Sequence, residues 1–368
     1  MKIQYCSKCC YTSVKPGFSL NDDGICSGCA AQESKRAIDW DARWQELSAI
    51  CEKIGRDGQE YDCAIPVSGG KDSHYQVYLI KEKLGLRPLC INVAPLVETD
   101  AGLANLRNLR ERFDVDLVTL RPAPETARRL AVWGFETMCW PSWSQDKAIY
   151  TWPIKFAARM GIKLVIMGEN HDFEKGGADL GHGGDAVAQM MHSLGGDEIA
   201  AKIKELGLPE EHLQSYVSED LAALRASGMN ILWLGHYVDW DSAVVADKAK
   251  SLGFKGLDEI MPGRTEDYLG IDDGATPVSL WAKFIKFGIG PVTDTCFNHI
   301  SYGRMSREEA VRLILEKDGI LDPEVKAKWQ ERLGVSDALF EKVGEKFVNR
   351  DVVELKDGQW RVRPDFLR

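Results

Sequence analysis

The chain has 368 residues and a formal net charge of −10, from 46 Lys plus Arg against 56 Asp plus Glu. Its 44% hydrophobic and 28% charged residues are those of a globular protein with length for two or three domains. No apolar run reaches the roughly 18–20 residues of a membrane span, and the acidic balance weighs against a nucleic-acid partner, which needs clustered Lys and Arg. The first residues, Met1 to Cys6, lack the apolar stretch of a secretory signal, so a cytoplasmic protein with no membrane insertion is expected.

Four of the ten cysteines open the chain as two pairs, Cys6-x-x-Cys9 and Cys26-x-x-Cys29, with Cys10 adjacent as a spare. Each CxxC turn can aim two thiolates at one ion, and two turns complete a tetrahedron. A structural zinc ribbon over residues 1–36 is therefore expected, with an iron–sulfur cluster or unligated thiols as alternatives. Gly24 and Gly28 suit tight knuckles with positive φ. Cys51, Cys63, Cys90, Cys139 and Cys296 are scattered and read as small buried hydrophobes.

A linker, 37–60, carries a helix over 39–54, where Trp40, Trp44, Leu47, Ile50, Cys51 and Ile54 fall at helical spacing before Gly55 and Gly58. Residues 61–200 alternate strand and helix. Strands are expected at 63–67, 88–93, 116–120 and 163–167, with helices at 74–84, 100–113, 124–133 and 145–160. Such alternation makes an α/β domain with a parallel sheet covered on both faces. The Gly- and acid-rich stretch 171–197, with His171, His182 and His192, reads as a lid. Residues 201–350 form a mostly helical region, with 198–227 helical, a further strand near 231–235, and helices at 306–316 and 337–347. Residues 351–368 end the chain as a hairpin around Asp357-Gly358.

Between the first strand and the following helix stands Ser68-Gly69-Gly70-Lys71-Asp72-Ser73. Two glycines let backbone N–H groups approach an anion, the helix N-terminus adds positive dipole, and the serines add hydroxyl donors. This is a phosphate cradle, and neither the Walker nor the GxGxxG pattern.

In that setting SGGKDS resembles the PP-loop of the ATP pyrophosphatase superfamily, the adenine nucleotide α-hydrolase-like proteins. Members split ATP between the α and β phosphates and use AMP to activate a carbonyl or amide oxygen. The resemblance implies that Ser68, Gly69, Gly70, Asp72 and Ser73 hold pyrophosphate, that Lys71 clamps charge, and that magnesium bridges the phosphates. It also implies that Asn92 and Val93 grip adenine through the backbone, and that Gly168, Glu169 and Asn170 face the nucleotide. All lie at the carboxyl ends of strands, where open parallel sheets bind ligands.

The cysteine-paired N-terminus, SGGKDS and GEN continue into Tyr237-Val238-Asp239-Trp240-Asp241, Gly253-Phe254-Lys255 and Gly303-Arg304-Met305-Ser306-Arg307-Glu308-Glu309-Ala310. Together, over about residues 1–317, these are similar to the N-acetyl sugar amidotransferase family of lipopolysaccharide O-antigen and pseudaminic or legionaminic acid biosynthesis. One departure is Ile300-Ser301-Tyr302 where an Ile-Arg is expected, so no substrate role is carried to an arginine there. The resemblance implies conversion of an acetamido group to an acetamidino group through an adenylylated amide. Lys71 and Asp72 in the loop, with Lys283, Lys286, Arg304 and Arg307 from the C-terminal part, are the candidate catalytic and charge-neutralising residues.

Ammonia is the expected nucleophile. A glutaminase needs a cysteine nucleophile on an elbow with a His partner, and the one Gly-x-Cys-x-Gly, Gly24 to Gly28, has its cysteine in the second CxxC pair. The resemblance thus implies a separate glutaminase subunit and a cyclase-like barrel partner that delivers ammonia. Trp133, Trp140, Trp143 and Trp152 read first as core packing and second as a sugar-stacking platform. Three rivals share parts of this pattern: a tRNA-modifying PP-loop enzyme of the thiolation or lysidine type, an asparagine- or NAD-synthetase-like ligase, and a non-enzymatic nucleotide-binding scaffold.

Overall fold

The computed structural model describes residues 3–54, 60–169, 201, 204–217, 221–364 and 367. Asn170 and the 171–197 segment, and with them the expected lid, lie outside the described residues.

The cysteine region ends in α1 (Ser27–Lys35), and α2 (Trp40–Ile54) follows as expected. Gly24 takes the left-handed conformation its knuckle needs, φ +71. Gly28 does not: it lies inside α1, because the second CxxC turn runs straight into a helix whose N-cap is Cys26. Then come β1 (Cys63–Val67), α3 (Lys71–Val77), β2 (Pro88–Val93), α4 (Asp100–Phe113), β3 (Asp116–Leu120), α5 (Pro124–Met138), α6 (Trp143–Arg159) and β4 (Leu164–Met167). The helix expected from His74 instead begins at Lys71, directly behind the glycine pair, and widens into a π-helical turn over Tyr78–Lys83 before Gly85. Among the described residues of the expected helix over 198–227, Glu210–Ser215 after Pro209 is a 3₁₀ turn that interrupts it, and α7 spans Leu221–Ala226. β5 (Asn230–Trp233) completes the sheet.

The five strands are parallel in the order β3-β2-β1-β4-β5. This is the expected α/β architecture. Strand faces alternate. Cys63, Ile65 and Val67 pack with α2, α3 and α4, while Ala64, Val165, Met167 and Ile231 pack with Ile154 and Ala157 of α6. The chain runs one way from β1 to β3 and then crosses to the other side of β1, which makes a switch point between β1 and β4. Pro66 sharpens it. β1 pairs with β2 at all five residues but registers with β4 only at Ala64↔Val165, because Pro66, two residues on, has no N–H to extend that ladder. The carboxyl ends of β1 and β4 are left apart just below Ser68.

Six α-helices follow β5 among the described residues: α8 (Ser242–Ser251), α9 (Thr276–Phe287), α10 (Pro291–Ser301), α11 (Arg307–Lys317), α12 (Pro323–Leu333) and α13 (Asp337–Phe347). A hairpin of β6 (Val353–Lys356) and β7 (Gln359–Val362) ends the described chain, with positive φ at both Asp357 and Gly358, the conformation of a tight two-residue turn. Phe135, Trp281, Trp329, Phe340, Val353 and Trp360 share one core with Cys10. Cys10 thus packs as a hydrophobe, and burial raises its thiol to about 11. Cys51, Cys63, Cys90, Cys139 and Cys296 are also buried, as expected of core residues. Of the tryptophans, Trp133 and Trp143 pack at 4.8 Å between centroids, whereas Trp140 is exposed and donates to Asp146 (2.7 Å).

Candidate functional site

SGGKDS crosses the switch point. Ser68 N–H donates to Ser73 Oγ (2.8 Å) and Gly70 N–H donates to Ser68 Oγ (3.1 Å), so both serines shape the loop they belong to. Gly70 is the N-cap of α3, with no side chain capping the helix. Gly69 is packed against another backbone: a Cβ there would meet the Gly102 carbonyl oxygen of α4 at 2.2 Å. Gly102 is packed in turn against the backbone of Asp272, where an added Cβ would come to 2.7 Å of its oxygen. The phosphate loop, α4 and the 272 segment thus stack backbone on backbone, and only glycines fit the two contacts. Thr99 caps α4 and donates its hydroxyl to Ile271 O, which pins the third layer.

Lys71 is buried. Its Nζ lies 2.7 and 2.8 Å from the Asp72 oxygens and 5.6 Å from the Tyr268 ring centroid. Asp72 also accepts from Trp240 Nε1 (3.2 Å). His74 sits behind the loop between Gly70 O (3.3 Å) and Asn108 Oδ1 (3.2 Å), and burial lowers its basicity. At the end of β2, Asn92 donates to Val67 O (2.9 Å) and ties the two strand ends together. Gln76 of α3 closes on Gly168, where an added Cβ would meet its amide at 2.6 Å.

Two cavities flank the loop. The larger, about 590 Å³, is lined by Ser68, Gly69, Asn92, Val93, Gly168 and Glu169, among others. The smaller, about 240 Å³, is lined by Gly70, Lys71, Trp240, Tyr268, Asp294 and Asn298. Ser68, Asp72, Glu169 and Asp272 line both, so a ligand reaching from one to the other passes along the loop. The sequence-chosen residues of the strand ends thus come together around one space. Asp272, Asp273, Trp240, Tyr268 and Asp294 were not chosen. The one local signal for the aspartates is Ile271-Asp272-Asp273-Gly274, whose backbone bridges to Glu98 and Val97. Asp273 is half-buried, and loss of solvent around its carboxyl, with the neighbouring Asp272 charge, raises it to about 7, against a hydrogen bond from Ala275 N–H.

The four C-terminal cations have other immediate partners. Lys283 pairs with Asp294 and Lys286 donates to Met138 O. Arg304 forms a fork on both Asp241 oxygens (2.6 and 2.8 Å), and Arg307 donates to Cys9 O (3.2 Å). The Asp239-Trp240-Asp241 run is a three-way tie: Asp239 holds Lys35 (3.0 Å) and Tyr302 (2.7 Å), Trp240 holds Asp72, and Asp241 holds Arg304. Tyr302, in the Ile300-Ser301-Tyr302 stretch that departs from the expected Ile-Arg, is one of those anchors.

Cys6, Cys9, Cys26 and Cys29 are buried with all four sulfurs within 4.8 Å of one another. The Cys6–Cys29 and Cys9–Cys26 separations of 3.8 and 3.6 Å match the edge of about 3.8 Å of a tetrahedron with metal–sulfur bonds of ~2.3 Å. Peptide N–H groups of Lys8, Cys9 and Cys26 point at Cys6 Sγ at 3.3–3.5 Å. The side chains of Cys26, Cys29 and Cys9, in that order, hold the Cys6 thiol well below its ordinary range. The donor set fits one four-coordinate ion.

No helix among the described residues is long and apolar enough to cross a membrane. A curated relative, an uncharacterized protein (MJ1599) of Methanocaldococcus jannaschii, is 32% identical over 117 residues, 31% of this chain and 42% of its own length. The chain therefore spans less than half of that relative. Solved structures with similarity include an NMN synthetase from Francisella tularensis, at 12% identity and a TM-score of 0.36 over 82% of this chain and 96% of that one. A U34-tRNA thiolase, NcsA, from Methanococcus maripaludis with its 4Fe–4S cluster matches at 16% and 0.33 over 72% and 79%. An NH3-dependent NAD synthetase from Campylobacter jejuni matches at 16% and 0.30 over 61% and 100%. Residues 262–363 match the family model described as LPS biosynthesis protein WbpG-like, C-terminal domain. That match takes in the elements from α9 to the terminal hairpin.

Proposed function

We propose that the chain is an ATP-dependent amidotransferase that turns an acetamido group of a nucleotide-linked sugar into an acetamidino group in surface-polysaccharide biosynthesis. One observation carries the reading: a strand–SGGKDS–helix loop lies at the switch point with a nucleotide-sized cavity on one side and a smaller polar, aromatic cavity on the other. The match of 262–363 to a WbpG-like C-terminal domain supports the substrate class, since α9 and α10 in that part supply Leu280, Asp294 and Asn298 to the smaller cavity.

ATP lies in the larger cavity with its phosphates along Ser68–Ser73, and the sugar's acetamido group enters the smaller one. Resonance makes an amide carbon a poor electrophile. The amide oxygen attacks the α phosphorus, the α–β bridging bond breaks, and pyrophosphate leaves. Ammonia adds to the activated carbon, the carbon–oxygen bond to AMP breaks, and one proton is released, leaving an amidinium. The loop's backbone donors align and neutralise the phosphates, and Lys71 holds Asp72 in place. Asp72, Glu169 and Asp272 offer oxygen donors of the kind magnesium takes. In this reading the four-cysteine site holds a structural zinc ion, and ammonia comes from a separate glutaminase and its barrel partner.

The test is incubation with ATP, magnesium, ammonium chloride and a UDP-linked diacetamido uronic acid. AMP, pyrophosphate and a sugar product about 1 Da lighter are expected, in equal amounts, as the reaction class requires. AMP release without a mass change, or strong glutamine hydrolysis by the pure chain, overturns the reading. Retention of tRNA in a gel shift is the outcome that favours the RNA-modifying alternative.

A further inference from the structure

Tyr11 follows the first cysteine pair, and its N–H donates to Cys9 Sγ (3.4 Å). Its ring is buried and stacks on Phe297 of α10, with centroids 4.5 Å apart and planes inclined by 25°. Its hydroxyl donates to Asp294 Oδ1 (2.9 Å), on the same helix. Lys283 of α9 holds the other oxygen, Oδ2. Asp294 lines the smaller cavity together with Lys71, Trp240 and Asn298, and its side chain keeps 16% exposure. One carboxylate on the wall of that cavity is thus fixed from behind by a residue that the cysteine knuckle itself orients, 283 positions away in sequence.

We propose that the cysteine centre sets the acceptor cavity: Tyr11, with Lys283, is a positioning residue for Asp294, and Asp294 binds the N–H of the acceptor's acetamido group. This rests on the reading that the smaller cavity takes that group. The chemistry favours a carboxylate there. When the amide oxygen attaches to the α phosphorus, the carbon–nitrogen bond gains double-bond character and positive charge moves onto the N–H. A fixed anion that accepts from that N–H is stronger in the activated state than in the ground state, which is how a preorganised group lowers a barrier. The proton stays on nitrogen, so Asp294 needs no proton of its own. A tyrosine hydroxyl and an ammonium behind the carboxylate stop it from swinging toward Lys71. Loss of the metal loosens Tyr11 and, through it, the carboxylate.

The experiment pairs Tyr11→Phe with Asp294→Asn in the full chain. Tyr11→Phe keeps the stack on Phe297 and removes the hydroxyl. It is expected to raise the KM for a UDP-linked diacetamido uronic acid about tenfold, the effect of one hydrogen bond to a charged group, with the KM for ATP and the bound metal unchanged. Asp294→Asn is expected to lower kcat while ATP binding is retained. Hydrogen-exchange mass spectrometry supplies a readout independent of turnover. In Tyr11→Phe, and in wild type stripped of metal by a chelator, amides at the start of 291–301 should lose protection while those of 71–77 keep it. Unchanged protection at 291–301 overturns the proposal, and so does a rise in both KM values together. A wild-type protein that makes no AMP with this sugar sinks the amidotransferase reading instead, and the exchange data still decide whether the cysteine centre holds Asp294.

Discussion

Gly69→Ala is the sharpest perturbation of the phosphate loop. A Cβ at 69 would stand 2.2 Å from Gly102 O, 2.6 Å from Gly102 Cα and 2.7 Å from Gly102 C. An ordinary carbon-to-carbonyl-oxygen contact is about 3.3–3.6 Å, so the loop and α4 must separate by about 1 Å. Neither can give cheaply. All three neighbours are backbone, and α4 is itself backed by the Asp272 backbone through Gly102. Forced separation of packed elements costs about 1–3 kcal/mol of stability. A misplacement of about 1 Å in a reacting geometry costs about a hundredfold in rate. Gly70→Ala is the internal control. Its Cβ would meet only the ends of side chains, Asp272 Oδ2 and Ser68 Oγ, each at 3.2 Å, and φ −85 suits alanine. ATP affinity by calorimetry, AMP formation and thermal unfolding should therefore fall steeply for Gly69→Ala and mildly for Gly70→Ala. Near-normal ATP binding in Gly69→Ala, or equal damage from Gly70→Ala, refutes the stacked-backbone account.

Other outcomes follow from single contacts. Asp273 carries a carboxyl raised from 3.8 to about 7 by burial first, so between roughly pH 4 and 7 the folded state binds a proton that the unfolded state has lost. Stability should fall as pH rises through that window and level off above it, with a ceiling of roughly 4 kcal/mol at about 1.4 kcal/mol per pKa unit. Asp273→Asn, which can keep the bond from Ala275 N–H (2.8 Å), should flatten that slope in urea titrations at pH 5 and 8. Trp240→Phe keeps the edge contact with Tyr75 (5.3 Å) but loses the donor to Asp72, and AMP formation should drop about tenfold. Elemental analysis should find one zinc per chain without the visible colour of an iron–sulfur cluster, and Cys9→Ser should lose it and expose Phe297 and Ile289, which pack on the knuckles.

The fold was legible because its signals are local. Runs such as Cys63–Val67 and Pro88–Val93 are apolar and short, and they are followed by glycine, proline or acidic breaks. All five strands lie within a residue or two of where the sequence puts them. The terminal turn was legible for the same reason, since Asp-Gly is chemistry for positive φ. The start of α3 was misread because SGGKDS looks like loop: its polar residues have no hydrophobic period, yet Lys71 already belongs to the helix. The π-helical turn at Tyr78–Lys83 leaves no trace in periodicity. The site was only half legible. Its strand-end residues are named by their position after strands. Trp240 on Asp72 spans 168 residues and Tyr11 on Asp294 spans 283, and no local pattern encodes such a pairing. The tie made by Asp239, Trp240 and Asp241 explains why that short polar run stands out: each side chain anchors a different part of the molecule.

Charge placement leads to the last prediction. If the proposed reading holds, a chain of net −10 has to gather cations at the phosphates of ATP, expected from Lys71 and the C-terminal Lys and Arg. Lys283, Lys286, Arg304 and Arg307 instead hold Asp294, Met138 O, Asp241 and Cys9 O. Among the described residues, the larger cavity is lined by one cation, Arg121, which pairs with Glu98 (2.7 Å), and the smaller by Lys71, which pairs with Asp72. Asp72, Glu169 and Asp272 line both. Two like charges about 4 Å apart near a protein surface repel by about 4 kcal/mol, so carboxylates on the cavity wall oppose a triphosphate laid against them. Carboxylates facing phosphates make sense with a divalent cation between them. ATP binding should therefore weaken at least about a hundredfold in EDTA, as that repulsion requires. Asp272→Asn separates two causes. If Asp272 acts through the cation, the variant needs more magnesium to bind ATP. If Asp272 only repels phosphate, the variant binds ATP more tightly at every magnesium concentration. Calorimetry across a magnesium series decides between them, and equal ATP affinity with and without the divalent ion would refute the argument.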